Sequence, residues 1–320
     1  MTHQISSLAS LCAVETGEAP KAGDLSLARQ HGFMLWCRDK HGLSAKTIST
    51  YLSTIKAALR FAAKPRLIRD ARGREREAKI LSTVPYVDDS EESVSKVTRL
   101  ARSKPRGWIP TDGELAALIS QCEGDDLEHV FRYVIIALNT WARPEAICEL
   151  SVRRQVNFER GTIDLNPPGR IQNKKVRPLI RLTDNLRGWL LHWDLDYPIL
   201  YKGKAARKID NRTLAKAARR ARITERFSRY TLRHYMATRI RSVDGIPVSR
   251  EERAAWMGHV DPHHRTTEAW YESQDPDYLV NAARATDAIM LRLDQLSRKT
   301  VFSPNSRPTT GLTLLKSQLK

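Results

Sequence analysis

Four side chains of this 320-residue chain carry what is needed to attack a phosphodiester without a metal. Arg143 sits in Thr140-Trp-Ala-Arg-Pro-Glu, Arg233 in Tyr230-Thr-Leu-Arg-His, and His259 closes Trp256-Met-Gly-His; Tyr271 follows twelve residues later. Such an attack places negative charge on the non-bridging oxygens. A guanidinium presents parallel donors in a fixed fork and stays charged at any relevant pH. Arg143 and Arg233 can therefore hold both oxygens and stabilise the pentacoordinate state, with His259 adding a hydrogen bond. The phenol of Tyr271 becomes a nucleophile when guanidiniums favour its phenolate or a neighbour takes its proton. Lys174 or Lys175, in Gln172-Asn-Lys-Lys, can protonate the leaving 5′ oxygen. A phosphotyrosine conserves the bond energy and is reversed by another strand's 5′ hydroxyl, so the chemistry requires no cofactor.

Each residue also has an ordinary reading, since an arginine at a helix start is usually a surface group and a tyrosine on an amphipathic helix usually packs. His259, His263, His264 and Asp261 lie close in sequence, but adjacent loop histidines seldom converge, and no metal is expected. Cysteines 12, 37, 122 and 148 are scattered and make neither a metal pattern nor a disulfide framework, which fits reduced thiols in the cytoplasm.

Periodicity supplies the elements that must position these groups. A first helix is predicted over 27–38. A second begins at the Ser44 cap and repeats Ile48, Tyr51, Leu52, Ile55, Leu59 and Ala62 up to Pro65. Its other face carries Lys46, Ser49, Ser53, Thr54, Lys56 and Arg60, of which the basic members are candidates for phosphate contact. Residues 69–80 alternate in charge and read as an exposed helix, followed by the polar, acidic Asp88-Asp-Ser-Glu-Glu-Ser. Lys104 to Pro110 reads as a linker. Thr111 and Glu114 have capping-box spacing, and a strongly apolar helix follows at 127–138. Another helix runs from Arg143 through Leu150. Strands are predicted at 155–158 and 161–166, joined by Glu-Arg-Gly, and at 176–180 after a basic loop holding Arg170. Helices return at 184–193, 211–221, 231–240, 249–257 and 277–296, the last with Tyr278, Ala282, Ile289, Leu293 and Leu296 on one side. The stretch from Val301 reads as disordered.

The net charge is +18, and its placement is uneven: residues 202–241 hold fourteen Lys or Arg, Arg229 among them, against Asp210 and Glu225. Such a surface attracts a polyanion. No run approaches the length of a membrane span, and the start of the chain lacks a secretory pattern.

The four boxes in order, with a lysine-bearing hairpin between the first two, resemble the tyrosine recombinases, or phage integrases. The resemblance covers about 27–297 and is strongest over 109–280. It implies a mostly α fold with a small β-hairpin or sheet: an N-terminal arm (1–24), a helical SAM-like core-binding domain (25–107), a catalytic domain (108–298) and a flexible C-terminal tail (299–320). It implies catalytic roles for Tyr271, Arg143, Arg233, His259, Lys174 and Tyr230, and DNA contacts from Lys46, Lys56, Arg60, Arg170, Lys175 and Arg229. The implied activity is cleavage and rejoining of duplex DNA through a 3′-phosphotyrosine, in integration, excision or resolution. The implied assembly is a homo-tetramer on DNA, joined through the C-terminal helix at 277–297. Three features depart from the pattern. Tyr230 replaces the usual histidine, Trp141 replaces the usual glycine, and the spacing from His259 to Tyr271 is long. These keep open a catalytically impaired DNA-binding module; a type IB topoisomerase or telomere resolvase would use the same pocket.

Overall fold

A computed structural model describes residues 25–69, 72–103, 107–122, 126–173, 175–259 and 276–303. The chain divides into two compact units, with the boundary along the chain between Gly107 and Trp108.

The first unit is built on α1 (Leu27–His41), α2 (Ala45–Ala62) and α3 (Glu91–Thr98). Each opens on a serine, Ser26, Ser44 or Ser90, whose hydroxyl accepts from a backbone N–H of the first turn. Gly42, at φ 58°, ends α1 in the left-handed region. Phe33, Met34, Cys37, Ile48, Leu52, Ile55, Val87 and Val94 form the core. Gln30 stitches in the irregular stretch before α3: its amide donates to the Tyr86 carbonyl at 2.9 Å and accepts from Asp88 N–H at 2.9 Å. The polar side of α2 is partly occupied within the unit. Ser49 is buried and donates to the Asp89 carbonyl, while Ser53 and Lys56 bind the Asp89 carboxylate.

Among the described residues of 69–80 there is no helix where one was expected. β1 (Arg66–Arg69) and β2 (Glu75–Ala78) pair antiparallel, Arg66 opposite Ala78 and Arg69 opposite Glu75. One opposite-charge pair, Arg69 with Glu75, forms across the strands, and Gly73 at φ 76° serves the turn.

The second unit surrounds α5 (Glu128–Thr140), which is buried from His129 to Thr140 except at Arg132. Packed on or near it are α4 (Asp112–Ser120), α6 (Pro144–Cys148), α8 (Asp184–Trp193), α10 (Arg229–Arg239) and α12 (Val280–Leu296); α7 (Val152–Gln155), α9 (Asn211–Arg220) and α11 (Arg250–Trp256) complete the helices described. The Thr111–Glu114 capping box opens α4 as expected. Asp112 gathers three helices, with the Tyr235 hydroxyl at 3.0 Å, Arg239 at 3.0 Å and Arg292 at 2.8 Å. A three-stranded antiparallel sheet, β3 (Val156–Asn157), β4 (Thr162–Asp164) and β5 (Leu179–Arg181), buries the Ile163–Ile180 pair. A two-stranded hairpin, β6 (Leu200–Tyr201) and β7 (Lys204–Ala205), has no counterpart in the expected elements.

α12 places Ala282, Ala285, Ile289, Met290 and Leu293 against its own unit, on α4, α5 and α8. Two residues expected on that stripe are off it: Tyr278 is 45% exposed on a 3₁₀ turn, Pro276–Leu279, and Leu296 is 53% exposed. The stretch after α12 is anchored as far as it is described, rather than disordered from Val301. Val301 is buried and its carbonyl accepts from the Trp189 indole at 2.8 Å, and Ser303 N–H donates to Asn185 at 2.8 Å. Residues 304–320 and 1–24 lie outside the described residues.

Trp141 ends α5 at φ 51°, a left-handed position where glycine is usual. Its indole is fully buried 5.1 Å from that of Trp256, whose Nε1 donates to the Thr140 carbonyl at 3.0 Å. Burial of the ring offsets a backbone cost of about 1–2 kcal/mol. Trp141→Ala should destabilise the protein by about 3–5 kcal/mol. Trp141→Gly should cost about 1 kcal/mol less than that, because alanine keeps the Cβ that strains the left-handed backbone and glycine does not. Urea unfolding of the two variants checks the order, and an alanine variant as stable as the glycine one would refute the strain.

Candidate active site

Arg233 lies on α10 and is only 6% exposed. Its Nη1 donates to the Trp141 carbonyl at 2.6 Å, and its Nη2 to the Met257 carbonyl at 2.8 Å. Nη2 also lies 3.2 Å from His259 Nε2. A guanidinium has five N–H donors, and these contacts use three of them among the described residues. Burial first, and then the charge of Arg143, pull Arg233 down to about 10, while the Tyr230 phenol acts in the opposite sense. It remains cationic at neutral pH.

Arg143 is the N-cap residue of α6, with Pro144 pre-set in the first helical position. Its Nη1 donates to the Val176 carbonyl at 2.8 Å. Arg143 and Arg233 line one small pocket together with Leu165, Val176, Arg177, Pro178 and Trp256. Arg177, which sequence reasoning passed over, is fixed there by Glu149 at 2.6 Å.

The turn Met257-Gly258-His259 closes α11 with paired bonds, Gly258 N–H to the Ala255 carbonyl at 2.9 Å and His259 N–H to the Ala254 carbonyl at 2.8 Å. This is the helix ending that calls for a left-handed residue, and Gly258 has φ 62°. A Cβ there would stand 2.4 Å from the Val176 carbonyl oxygen and 2.9 Å from Pro178 Cδ. The glycine thus serves both the turn and the approach of the β4–β5 loop. As His259 Nε2 accepts from a guanidinium, its proton belongs on Nδ1. Burial, then Arg233 and Arg143, hold the imidazole below the usual histidine range.

Arg143, Arg233 and His259 are therefore brought together, and Tyr230, 39% exposed at the start of α10, lies near enough to influence Arg233. His234 is exposed on the same helix. Tyr271 and Lys174 lie outside the described residues, as do Asp261, His263 and His264. Among the described residues no group of His, Cys, Asp or Glu is placed to hold a metal ion.

The candidate DNA-contact residues fall in different settings. Lys46 approaches Glu91 at 3.6 Å and Lys56 binds Asp89, so both are engaged within the first unit, whereas Arg60 is exposed. Arg170 donates to Asn166 at 2.7 Å, shaping the β4–β5 loop. Lys175 is exposed on that loop, and Arg229 contacts Asn211 at 3.3 Å. No described helix is long and apolar enough to cross a membrane.

No protein-family model and no curated protein sequence matches the chain. Solved structures do. The Tn1549 transposon integrase in complex with transposon right-end DNA has a TM-score of 0.56 at 12% identity, over 85% of this chain and 92% of that one. A lambda integrase tetramer bound to a Holliday junction has a TM-score of 0.51 at 16% identity, over 83% and 74%. A lambda integrase dimer bound to a core site has a TM-score of 0.50 at 15% identity, over 87% and 90%. The chain has the tyrosine-recombinase fold. Within that fold, the expected mostly helical architecture with small sheets is present, and Trp141 fills with a buried ring the left-handed position where the family pattern has glycine.

Two measurements probe the site. Gly258→Ala should destabilise the recombinase-fold unit by about 2 kcal/mol or more, from left-handed strain and the collision with Val176. Thermal unfolding reads this, and a neutral substitution would refute the close approach. The second concerns protonation. A histidine held low when folded adds stability above its unfolded value, and that stability is lost as pH falls through its folded value. A phosphate bound beside it opposes the arginines and raises it, so anion binding should take up a proton and strengthen as pH falls below neutrality. Calorimetry in buffers of different ionisation enthalpy should show this uptake in wild type and not in His259→Gln.

Proposed function

We propose that the protein is a site-specific tyrosine recombinase that cleaves and rejoins duplex DNA through a 3′-phosphotyrosine. The observation that carries this reading is the Arg143–Arg233–His259 cluster: two guanidiniums lining one pocket and an imidazole against the second of them, on the fold of integrases solved with DNA. In this reading the guanidiniums bind the non-bridging oxygens of the scissile phosphate, and His259 adds a hydrogen bond. Tyr271 attacks phosphorus. Lys174, with Lys175 as its neighbour, protonates the departing 5′ oxygen, and Tyr230 donates its hydroxyl to the phosphate where the family pattern has histidine. No metal takes part. Lys46, Lys56, Arg60, Arg170, Lys175 and Arg229 contact the DNA backbone, for which Lys46 and Lys56 exchange a carboxylate for a phosphate.

Assembly as a homo-tetramer on DNA belongs to the same proposal. The buried stripe of α12 already packs within its own unit, so a contact between copies through this helix would use its exposed side or the chain beyond it. A catalytically impaired DNA-binding protein is the second reading, favoured by Tyr230, because a phenol is a poorer proton donor than imidazolium near neutrality.

Nicked suicide duplexes bearing sites selected by the protein itself separate the two. Wild type should form a protease-sensitive covalent adduct and Tyr271→Phe none. An adduct in that variant would remove Tyr271 as the nucleophile, and its absence from wild type on a bound site would favour the binding module. Tyr230→Phe should slow adduct formation by about 10–100-fold, the loss of one hydrogen bond to a charged group. An unchanged rate would exclude Tyr230 from the reaction.

A further inference from the structure

The β1–β2 ribbon of the first unit takes no part in the site above. Its register sorts the charges. Leu67, Arg69, Glu75 and Glu77 fall on one face, and Arg66, Arg76 and Ala78 on the other. Both strand acids thus share the face of Arg69, which Glu75 already engages at 3.2 Å. The opposite face carries arginine and no acid. The turn adds Arg72 and Arg74, and Lys79 follows β2; all three are exposed, as is Arg76. Across residues 64–79 there are seven Lys or Arg and three acids.

The base of the ribbon is fixed while its body is open to solvent. The Arg66 guanidinium lies over the Phe61 ring at 3.2 Å, and the Ala62 carbonyl accepts from Ile80 and Leu81 N–H, each at 3.1 Å. Leu67 is 73% exposed. A two-stranded ribbon is an element that the major groove of B-DNA admits.

We propose that this ribbon is a second DNA-contact element, which lays its acid-free face and the Arg72–Arg74 turn into the major groove. The proposal rests on the reading that the chain binds duplex DNA. An open strand edge can also extend a partner protein's sheet, but the excess of arginine and the sorting of the two strand acids to one face favour a polyanion.

The test uses the full chain and a duplex selected by wild type from a randomised pool of roughly 30 base pairs, longer than the one to two helical turns a DNA-binding module spans. Arg72→Ser/Arg74→Ser/Arg76→Ser should lower the slope of log affinity against log salt by about 2–3, near 0.9 for each phosphate no longer neutralised. It should also shorten the hydroxyl-radical footprint at one flank. Arg76→Ser alone should lower the slope by about 1. Arg69→Ser/Glu75→Ser, neutral in charge and on the other face, should change neither, which separates a direct role in DNA binding from a disturbed ribbon. Unchanged slope and footprint in the triple variant, with wild type binding normally, would overturn the ribbon's role at the DNA and point to a protein partner. If wild type enriches no duplex from the pool, the DNA-binding reading itself falls, and the ribbon proposal with it.

Discussion

The second unit depends on one buried guanidinium. Arg233 donates to the carbonyl of Trp141, just beyond α5, and to that of Met257, just beyond α11. Both carbonyls belong to helix ends, where acceptors lack intrahelical partners. The arginine satisfies them and, in doing so, joins segments 92 and 24 residues away from it. The Trp141–Trp256 contact closes the same junction from the apolar side. Helix ending, aromatic packing and assembly of the site are thus one arrangement.

The Val176 carbonyl has a comparable place on the other side of the pocket. It accepts from Arg143 and lies against Gly258, so the β4–β5 loop, the start of α6 and the end of α11 are held in register. This loop contributes through its backbone as much as through its lysines. Glycine at 258 is required by the turn and by the space together, whereas at 141 the space is filled and only the backbone is strained.

Local signals were legible in the sequence. The span 184–193 matches α8 because Thr183 caps it and its apolar positions recur at helical spacing, and the Thr111–Glu114 box is visible because its two partners are three residues apart. The order of the basic boxes pointed to Arg143, Arg233 and His259 although they are far apart in the chain. What was not legible rested on distant partners or on a choice between periods. Alternating charge over 69–80 suits an exposed helix or a ribbon, and Pro65 and Gly73 favoured the second. α3 was overlooked although Ser90 and two glutamates open it, because its eight residues carry few apolar positions. The anchoring of Val301 and Ser303 needs Trp189 and Asn185, more than 100 residues earlier. The carbonyl partners of the arginines leave no trace in residue type, since any residue supplies a carbonyl.

Among the described residues the partners that hold Arg233 are all neutral: two peptide oxygens and an imidazole, with a second guanidinium nearby. Buried charge is ordinarily matched by opposite charge, so the pocket is locally frustrated, organised in shape but unbalanced in charge. An anion that enters it completes the electrostatics of the fold as well as occupying a site. For any anion that binds there, occupancy and folding are linked equilibria, and the rise in unfolding temperature with phosphate, sulfate and vanadate ions would rank their affinities.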